Sequence, residues 1–333
     1  EYRTFLGLVS HEYFHLWNVK RMKPAAFTPY DLSTESYTDL LWVFEGVTSY
    51  YDDLALVRSG LITVESYLEL LGKTMTRVRR SGGRRRQSVA DSSFDAWTKF
   101  YKQDANATNA IISYYAKGAL IALALDLKLR SETGGEYSLD DVMKAAWARW
   151  GESGEGLPED GFERLCAETS GLDLEDFFSA TVRGTGELPL EALLRTHGIE
   201  FHARRSEGGK DAGGKPTSDS SLPAVWLGAV LGDTGGTTVF RAVHNGGPAE
   251  LAGISPGDQL IALDGLRISL AGCEARTRRY HPGDKSEVTV FRGDELMTLQ
   301  LKWAEAPADT CYLLVDDEAG DEVASRRTNW LGL

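Results

Sequence analysis

The sequence predicts a multidomain α+β protein: a mostly α-helical domain over residues 1–200, a linker over 201–222, a small β-rich domain over 223–305 and a C-terminal extension over 306–333. Three observations predict it. As far as about Gly198, apolar residues recur at intervals of three and four, the spacing of helices with one buried face, and strand-like alternation is rare. From Ala203 to Leu222 the periodicity stops, and Gly208-Gly209, Gly213-Gly214 and the polar run Thr217 to Ser221 have the composition of a linker or loop. Beyond it, short β-like runs alternate with turn residues: Val225 to Val230, Thr237 to Val243, Gln259 to Ala262, Glu287 to Arg292 and Met297 to Leu301. A chain of 333 residues is long enough for each domain to build its own core.

The first helix carries His11-Glu12-Tyr13-Phe14-His15, an H-E-x-x-H pattern. Histidines four apart project from one helix face, one turn apart, so both imidazoles reach a single metal ion with Glu12 beside them. A catalytic zinc takes three protein ligands and keeps one position open. His11 and His15 supply two of them, and Glu12 is placed as the general base for water attacking a peptide carbonyl. The competing reading is a surface helix that carries two histidines by chance.

The third ligand has to come from downstream, where Asp31, Glu35, Asp39 and Glu45 are the nearest carboxylates. Glu45 is the expected one. It lies in the apolar, aromatic run Trp42 to Tyr51, where burying a carboxylate without a cation is costly. Glu35, in Ser33-Thr34-Glu35-Ser36, sits in a polar setting that suits solvation or a helix start. A buried salt bridge is the competing reading for Glu45.

Further along, Ser138-Leu139-Asp140-Asp141 caps a helix beginning near Val142, and Leu172-Asp173-Leu174-Glu175 precedes Phe177-Phe178 in the same manner. The apolar run Ala119 to Leu127 is interrupted by Asp126 and followed by Lys128, which suits a buried helix and not a membrane span. Arg77, Arg79, Arg80, Arg84, Arg85 and Arg86 are broken by Gly82-Gly83 and read as a solvated loop that shapes the active-site mouth or pairs with the acidic body. The balance of 36 basic against 49 acidic residues, net charge -13, argues against nucleic acid or a membrane surface as partner and leaves a peptide or protein substrate. Cys166, Cys273 and Cys311 are far apart and odd in number, with neither a disulfide framework nor a cysteine metal site indicated. The chain opens at Glu1 almost directly into the histidine helix and so reads as a piece of something longer, which leaves its bacterial compartment open between cytoplasm and periplasm.

Joined to Leu16-Trp17-Asn18 and to Phe44-Glu45-Gly46, the histidine motif resembles the gluzincin metallopeptidases, the clan of thermolysin and aminopeptidase N. The closer resemblance is to the glycyl aminopeptidase family, carried by Leu16 to Arg21 with Pro24 and by Glu45 to Tyr51. The separation of His15 from Glu45 is longer than in aminopeptidase N, a departure that favours this branch. The resemblance implies a thermolysin-like helical domain, one catalytic Zn2+, aminopeptidase action with a preference for N-terminal glycine, and a tyrosine before x-Lys-Gly that donates to the oxyanion. In Ser113 to Gly118 that tyrosine is Tyr115, and a neutral phenol suits the task because it donates without a change of protonation. The alternative for Tyr114 and Tyr115 is simple packing at a helix start; Lys117 reads as structural. In this clan the groups that hold the substrate amine lie upstream of the histidine motif, outside this sequence. Two other readings therefore stay open: an endopeptidase or quality-control protease, and a non-catalytic peptide-binding module.

The β-rich region resembles a PDZ domain of the bacterial, protease-associated kind. Trp226-Leu227-Gly228-Ala229 stands in the place of the carboxylate-binding loop, followed by Gly247 to Ile254, Pro256 to Ile261 and Asp264-Gly265. Such domains add a peptide as an extra strand at a sheet edge and hold its C-terminal carboxylate on loop N–H groups, so Leu227, Gly228 and Ala229 are the implied peptide-binding residues. The competing reading is a PDZ fold that only braces the catalytic domain.

Overall fold

A helix that is apolar all round has to be surrounded, and Ala116–Glu132 is such a helix. Ile121, Leu123, Leu125, Leu127 and Leu129 are all inaccessible to solvent. In the computed structural model, which describes residues 1–216 and 223–333, this helix is the axis of the first domain. Helices α2 (Val47–Arg58) and α3 (Val64–Arg80), together with Leu139–Ala146 and Leu190–Arg195, pack around it. Its one buried carboxylate, Asp126, accepts from the Tyr50 hydroxyl (2.6 Å), Arg130 Nε (3.0 Å) and the Leu139 N–H (2.8 Å), which compensates the burial.

Helix α2 is preceded by a π-helical turn, Trp42–Gly46, in which Trp42, Val43 and Phe44 are buried and Glu45 is left at the edge of the core. The turn crosses the central helix at two glycines. A Cβ on Gly46 would lie 2.6 Å from the Gly118 Cα, so no side chain fits there. Helix α1 (Tyr2–Phe14) is attached differently, because none of its residues is fully buried. It lies on α2 and is held largely by polar contacts: Arg3 to Ser66 Oγ (2.9 Å) and Glu69 (3.2 Å), and Ser10 Oγ to the Asp52 carbonyl (2.8 Å). The arginine run expected as a loop is instead the last turn of α3 followed by a 3-10 turn, Gly82–Arg85.

The second domain has a core of its own around Phe240, Val288, Val290, Leu301 and Trp303. Its antiparallel sheet runs in the order Ala229–Thr234, Thr237–Val243, Gln259–Leu263, Lys285–Arg292, Glu295–Lys302, with helix Leu270–Thr277 against the first strand. The run Val225 to Val230, read from the sequence as one strand, is split at Leu227-Gly228, where Gly228 takes a φ of +73°. That break forms a loop ahead of the edge strand.

The boundaries drawn from composition also shift. Strand Ile199–Arg204 crosses the expected start of the linker and pairs antiparallel with Thr310–Val315, from Ile199 opposite Val315 to Arg204 opposite Thr310. Thr310–Val315 packs on α3, with the Cys311 N–H donating to Thr76 Oγ1 at 2.8 Å. Helix Asp321–Leu331 then returns to the first core, where Trp330 and Leu331 are inaccessible to solvent. Residues 306–333 therefore belong to the first domain and are no appendage. Composition does not reveal this because the segment buries only three strand residues, Thr310, Cys311 and Leu313, and one helix end, Trp330 and Leu331. Of the linker, Thr217 to Ser221 lies outside the described residues. Among the described residues no helix is long and apolar enough to cross a membrane.

The Trp330 indole donates to the Tyr50 hydroxyl at 2.9 Å. Trp330→Ala is expected to destabilise the first domain by about 3–5 kcal/mol, the range for removing a large buried aromatic, as measured by urea unfolding. A loss below about 1 kcal/mol would mean that the C-terminal helix is not part of the core.

Candidate active site

Three elements converge on one point. Helix α1 brings His11 and His15, with rings in edge-to-face contact at a centroid distance of 4.6 Å, and the π-helical turn brings Glu45. Glu45 Oε2 lies 3.3 Å from His11 Nε2 and 3.2 Å from His15 Nε2. Among the described residues this is the one group of three or more His, Cys, Asp or Glu side chains with ligand atoms close enough to share a metal, all within 4.8 Å.

The outer ring nitrogens decide what those inner atoms can do. His15 Nδ1 is 2.9 Å from the Asn18 carbonyl, which can only accept, so Nδ1 carries the proton. His11 Nδ1 lies 3.0 Å from Asp52 Oδ2 and donates to that carboxylate. In the neutral imidazoles both Nε2 lone pairs then face a carboxylate oxygen that also only accepts. Three acceptors with no donor between them are stable only around a proton or a cation. Two imidazoles and one carboxylate are a zinc donor set, and a histidine whose far nitrogen is fixed by a carboxylate or carbonyl is the usual support for such a ligand. The residues fit the metal.

The proton equilibria carry the same imprint. Burial alone would lower the His11 pKa, but its hydrogen bonds to Asp52 and Glu45 and their charges outweigh burial and raise it to about 9. His15 is raised in the same way, against burial, chiefly by Glu45 and the Asn18 carbonyl. Burial pushes Glu45 up, yet the two histidines hold it below the ordinary carboxylate range.

The carbonyl that orients His15 sits in a strained turn. Val19, a β-branched residue, has a φ of +144°. Asn18 fixes this turn, its buried amide donating to the Val43 carbonyl (3.0 Å) and to Thr48 Oγ1 (3.1 Å). Asn18 thus ties the end of the histidine helix to the element that carries Glu45.

Glu12 is exposed on α1 between the two histidines, with no side-chain partner among the described residues. Tyr115 is half-buried at the start of the central helix, and its hydroxyl lies 3.0 Å from that of Tyr101. Burial, the Tyr101 contact and the Glu45 charge all raise its pKa, so the phenol stays protonated and able to donate. Phe100 stacks on its ring at a centroid distance of 5.8 Å. Glu35 is not part of the cluster; it accepts from Tyr37 at the surface. Leu227, Gly228 and Ala229 belong to the other domain, in the loop that opens the edge strand.

Asp52, Asn18 and Tyr101 are site residues that motif reasoning missed. Asp52 carried a usable signal, since it follows Glu45 by seven residues, two helical turns, and so shares its face. Tyr101 carried none, because the segment before Tyr115 is irregular.

The M61 glycyl aminopeptidase family matches residues 4–121, and the PDZ domain family matches residues 198–303. The crystal structure of an aminopeptidase N family protein from Idiomarina loihiensis superposes with a TM-score of 0.89 at 41% identity, over 99% of this chain and 55% of that one. A Neisseria meningitidis protein named as a zinc metalloprotease is 39% identical over 66 residues, 20% of this chain and 15% of its own length. The chain therefore spans about half the length of its solved relative.

Asp52→Asn removes the charge behind His11 and leaves the shape unchanged. It is expected to weaken zinc binding by roughly 10–100-fold, measured by competition with a chromophoric chelator. Unchanged affinity would mean that Asp52 does not support the ligand.

Proposed function

We propose that this chain, with the M61 glycyl aminopeptidase match over residues 4–121 and a PDZ domain over 198–303, hydrolyses peptide bonds at one zinc ion held by His11, His15 and Glu45. The observation that carries the proposal is the convergence of two imidazole nitrogens and one carboxylate oxygen, the donor set of a zinc site, on one point. Zinc, when bound, supplies Lewis-acid polarisation of the scissile carbonyl and makes water more acidic. Glu12, exposed one residue after His11, takes the proton from the attacking water and returns it to the departing amine. Tyr115 donates from a neutral hydroxyl to the oxygen on which negative charge develops. Asp52 and the Asn18 carbonyl hold the two imidazoles in the tautomer that presents Nε2.

The substrate is a peptide with a free N-terminus, in keeping with the glycyl aminopeptidase match and with the aminopeptidase N family neighbour. A second reading, endopeptidase action with the PDZ domain recruiting a peptide C-terminus, is favoured by the edge of strand Ala229–Thr234, unpaired among the described residues, beside the loop Leu227, Gly228, Ala229. Release of amino acids from free-amine peptides, but not from N-blocked ones, selects the first reading; cleavage of blocked peptides selects the second.

With a free-amine peptide, Glu12→Gln is expected to lower kcat by about 10²–10⁴ while zinc stoichiometry stays at one. Tyr115→Phe should lower kcat by roughly 10²–10³ with little change in KM, because its hydrogen bond is made only in the transition state. Full activity in Glu12→Gln would rule out the assigned proton transfer.

A further inference from the structure

A cleft of about 2260 Å³ separates the two domains and is lined by both. On the PDZ side it meets strand Ala229–Thr234, an edge strand that among the described residues pairs only with Thr237–Val243, and helix Leu270–Thr277 beside it. The N–H groups of Leu227 and Gly228, at the head of that strand, donate to no acceptor among the described residues. One of the ties between the two domains is the Asn109 side chain. Asn109 donates to the Val243 carbonyl at 2.7 Å and accepts from the Asn245 N–H at 3.0 Å.

The opposite wall is cationic. Ten Lys or Arg side chains line the cleft against five Asp or Glu, in a chain whose net charge is -13. All five acids are already engaged: Asp309 with Arg80, Glu187 with Arg84, Glu191 with Arg195, Glu274 with the Gly209 N–H and Asp233 with the Gly236 N–H. Arg77, Arg85 and Arg86 have no acidic partner among the described residues. Deeper in, Lys117 is only 3% exposed, and its Nζ has no hydrogen-bond partner. Its charged neighbour is another cation, Arg84, and burial together with that charge holds the Lys117 pKa down to about 8. A buried ammonium with no hydrogen-bond partner is a cost that a bound carboxylate removes.

We infer that this cleft binds acidic peptides by their C-terminal end. The peptide lies as an added strand on Ala229–Thr234, its terminal carboxylate on the Leu227 and Gly228 N–H groups and its Asp or Glu side chains against the Arg77, Arg85 and Arg86 wall. Main-chain pairing at the edge is indifferent to sequence. The charge of the wall therefore selects the ligand, and the acidic remainder of the surface repels the same ligand, so the cleft concentrates it. The inference rests on reading the second domain as peptide-binding and is independent of the hydrolytic assignment.

The test is fluorescence anisotropy with Glu12→Gln protein, which spares the probe from turnover, and a labelled eight-residue peptide of alternating Glu and Val with a free C-terminus. Replacing its Glu by Gln, or amidating its C-terminus, should each weaken binding by about tenfold at low salt. In Arg77→Ser/Arg85→Ser/Arg86→Ser protein the Glu and Gln peptides should bind alike, while the Gln peptide keeps its wild-type affinity and so reports a folded groove. Equal binding of both peptides to the wild-type cleft overturns the acidic preference, as does a preference that survives in the arginine variant. Binding of none of the peptides overturns the PDZ reading beneath it, and neither result bears on zinc content or hydrolysis.

Discussion

Two imidazole nitrogens lie 3.2–3.3 Å from one carboxylate oxygen, and the elements of the first domain around them keep them there. Such a cluster repels itself unless it shares a positive charge, so it has to be imposed by elements that are stable for other reasons. The π-helical turn is one of them, locked against the central helix by the Gly46–Gly118 contact and by the burial of Trp42, Val43 and Phe44. The histidine helix is the weaker partner. It buries no residue fully and relies on Arg3, Ser10 and Asn18 to reach α2 and α3. Polar attachments of this kind specify orientation more than they add stability, which is what an element bearing ligands requires.

The second domain is threaded into the first. The chain leaves through Ile199–Arg204 and comes back through Thr310–Val315, and because these two strands pair with each other the entry and exit of the PDZ domain are one structural unit lying on α3. The same helix continues into the arginine-bearing turn that faces the PDZ edge strand. A single element therefore carries the domain junction and one wall of the cleft.

The centre of the site is legible in the sequence because its chemistry is local. His11 and His15 are one turn apart, and Glu45 betrays itself as a carboxylate in an apolar run. The strands Thr237–Val243 and Lys285–Arg292 are legible for a similar reason, since alternation and turn residues act over a few positions. What escapes is whatever depends on a partner distant in the chain. Thr310–Val315 is a strand only because Ile199–Arg204 lies beside it, and Trp330 is a core residue only because Tyr50 and Arg58 receive it. Tyr101 reaches Tyr115 from an irregular segment, and the cationic wall faces a sheet edge more than a hundred residues away along the chain. No periodicity encodes those meetings.

The Trp330 contact bears on how the protein is made. The indole closes a chain of hydrogen bonds through Tyr50 to Asp126, and the Arg58 guanidinium holds the Trp330 carbonyl at 2.8 Å, so α2 is gripped by helix Asp321–Leu331, which follows the second domain in the chain. Helix α2 also carries Asp52, and it continues directly from the turn that bears Glu45. During synthesis the PDZ domain, a contiguous segment, emerges and can fold before that grip exists, whereas the domain that bears His11, His15 and Glu45 must wait for the tryptophan. A nascent chain halted short of Trp330 would carry a folded second domain beside a first domain whose histidine and carboxylate cluster is not yet held in place.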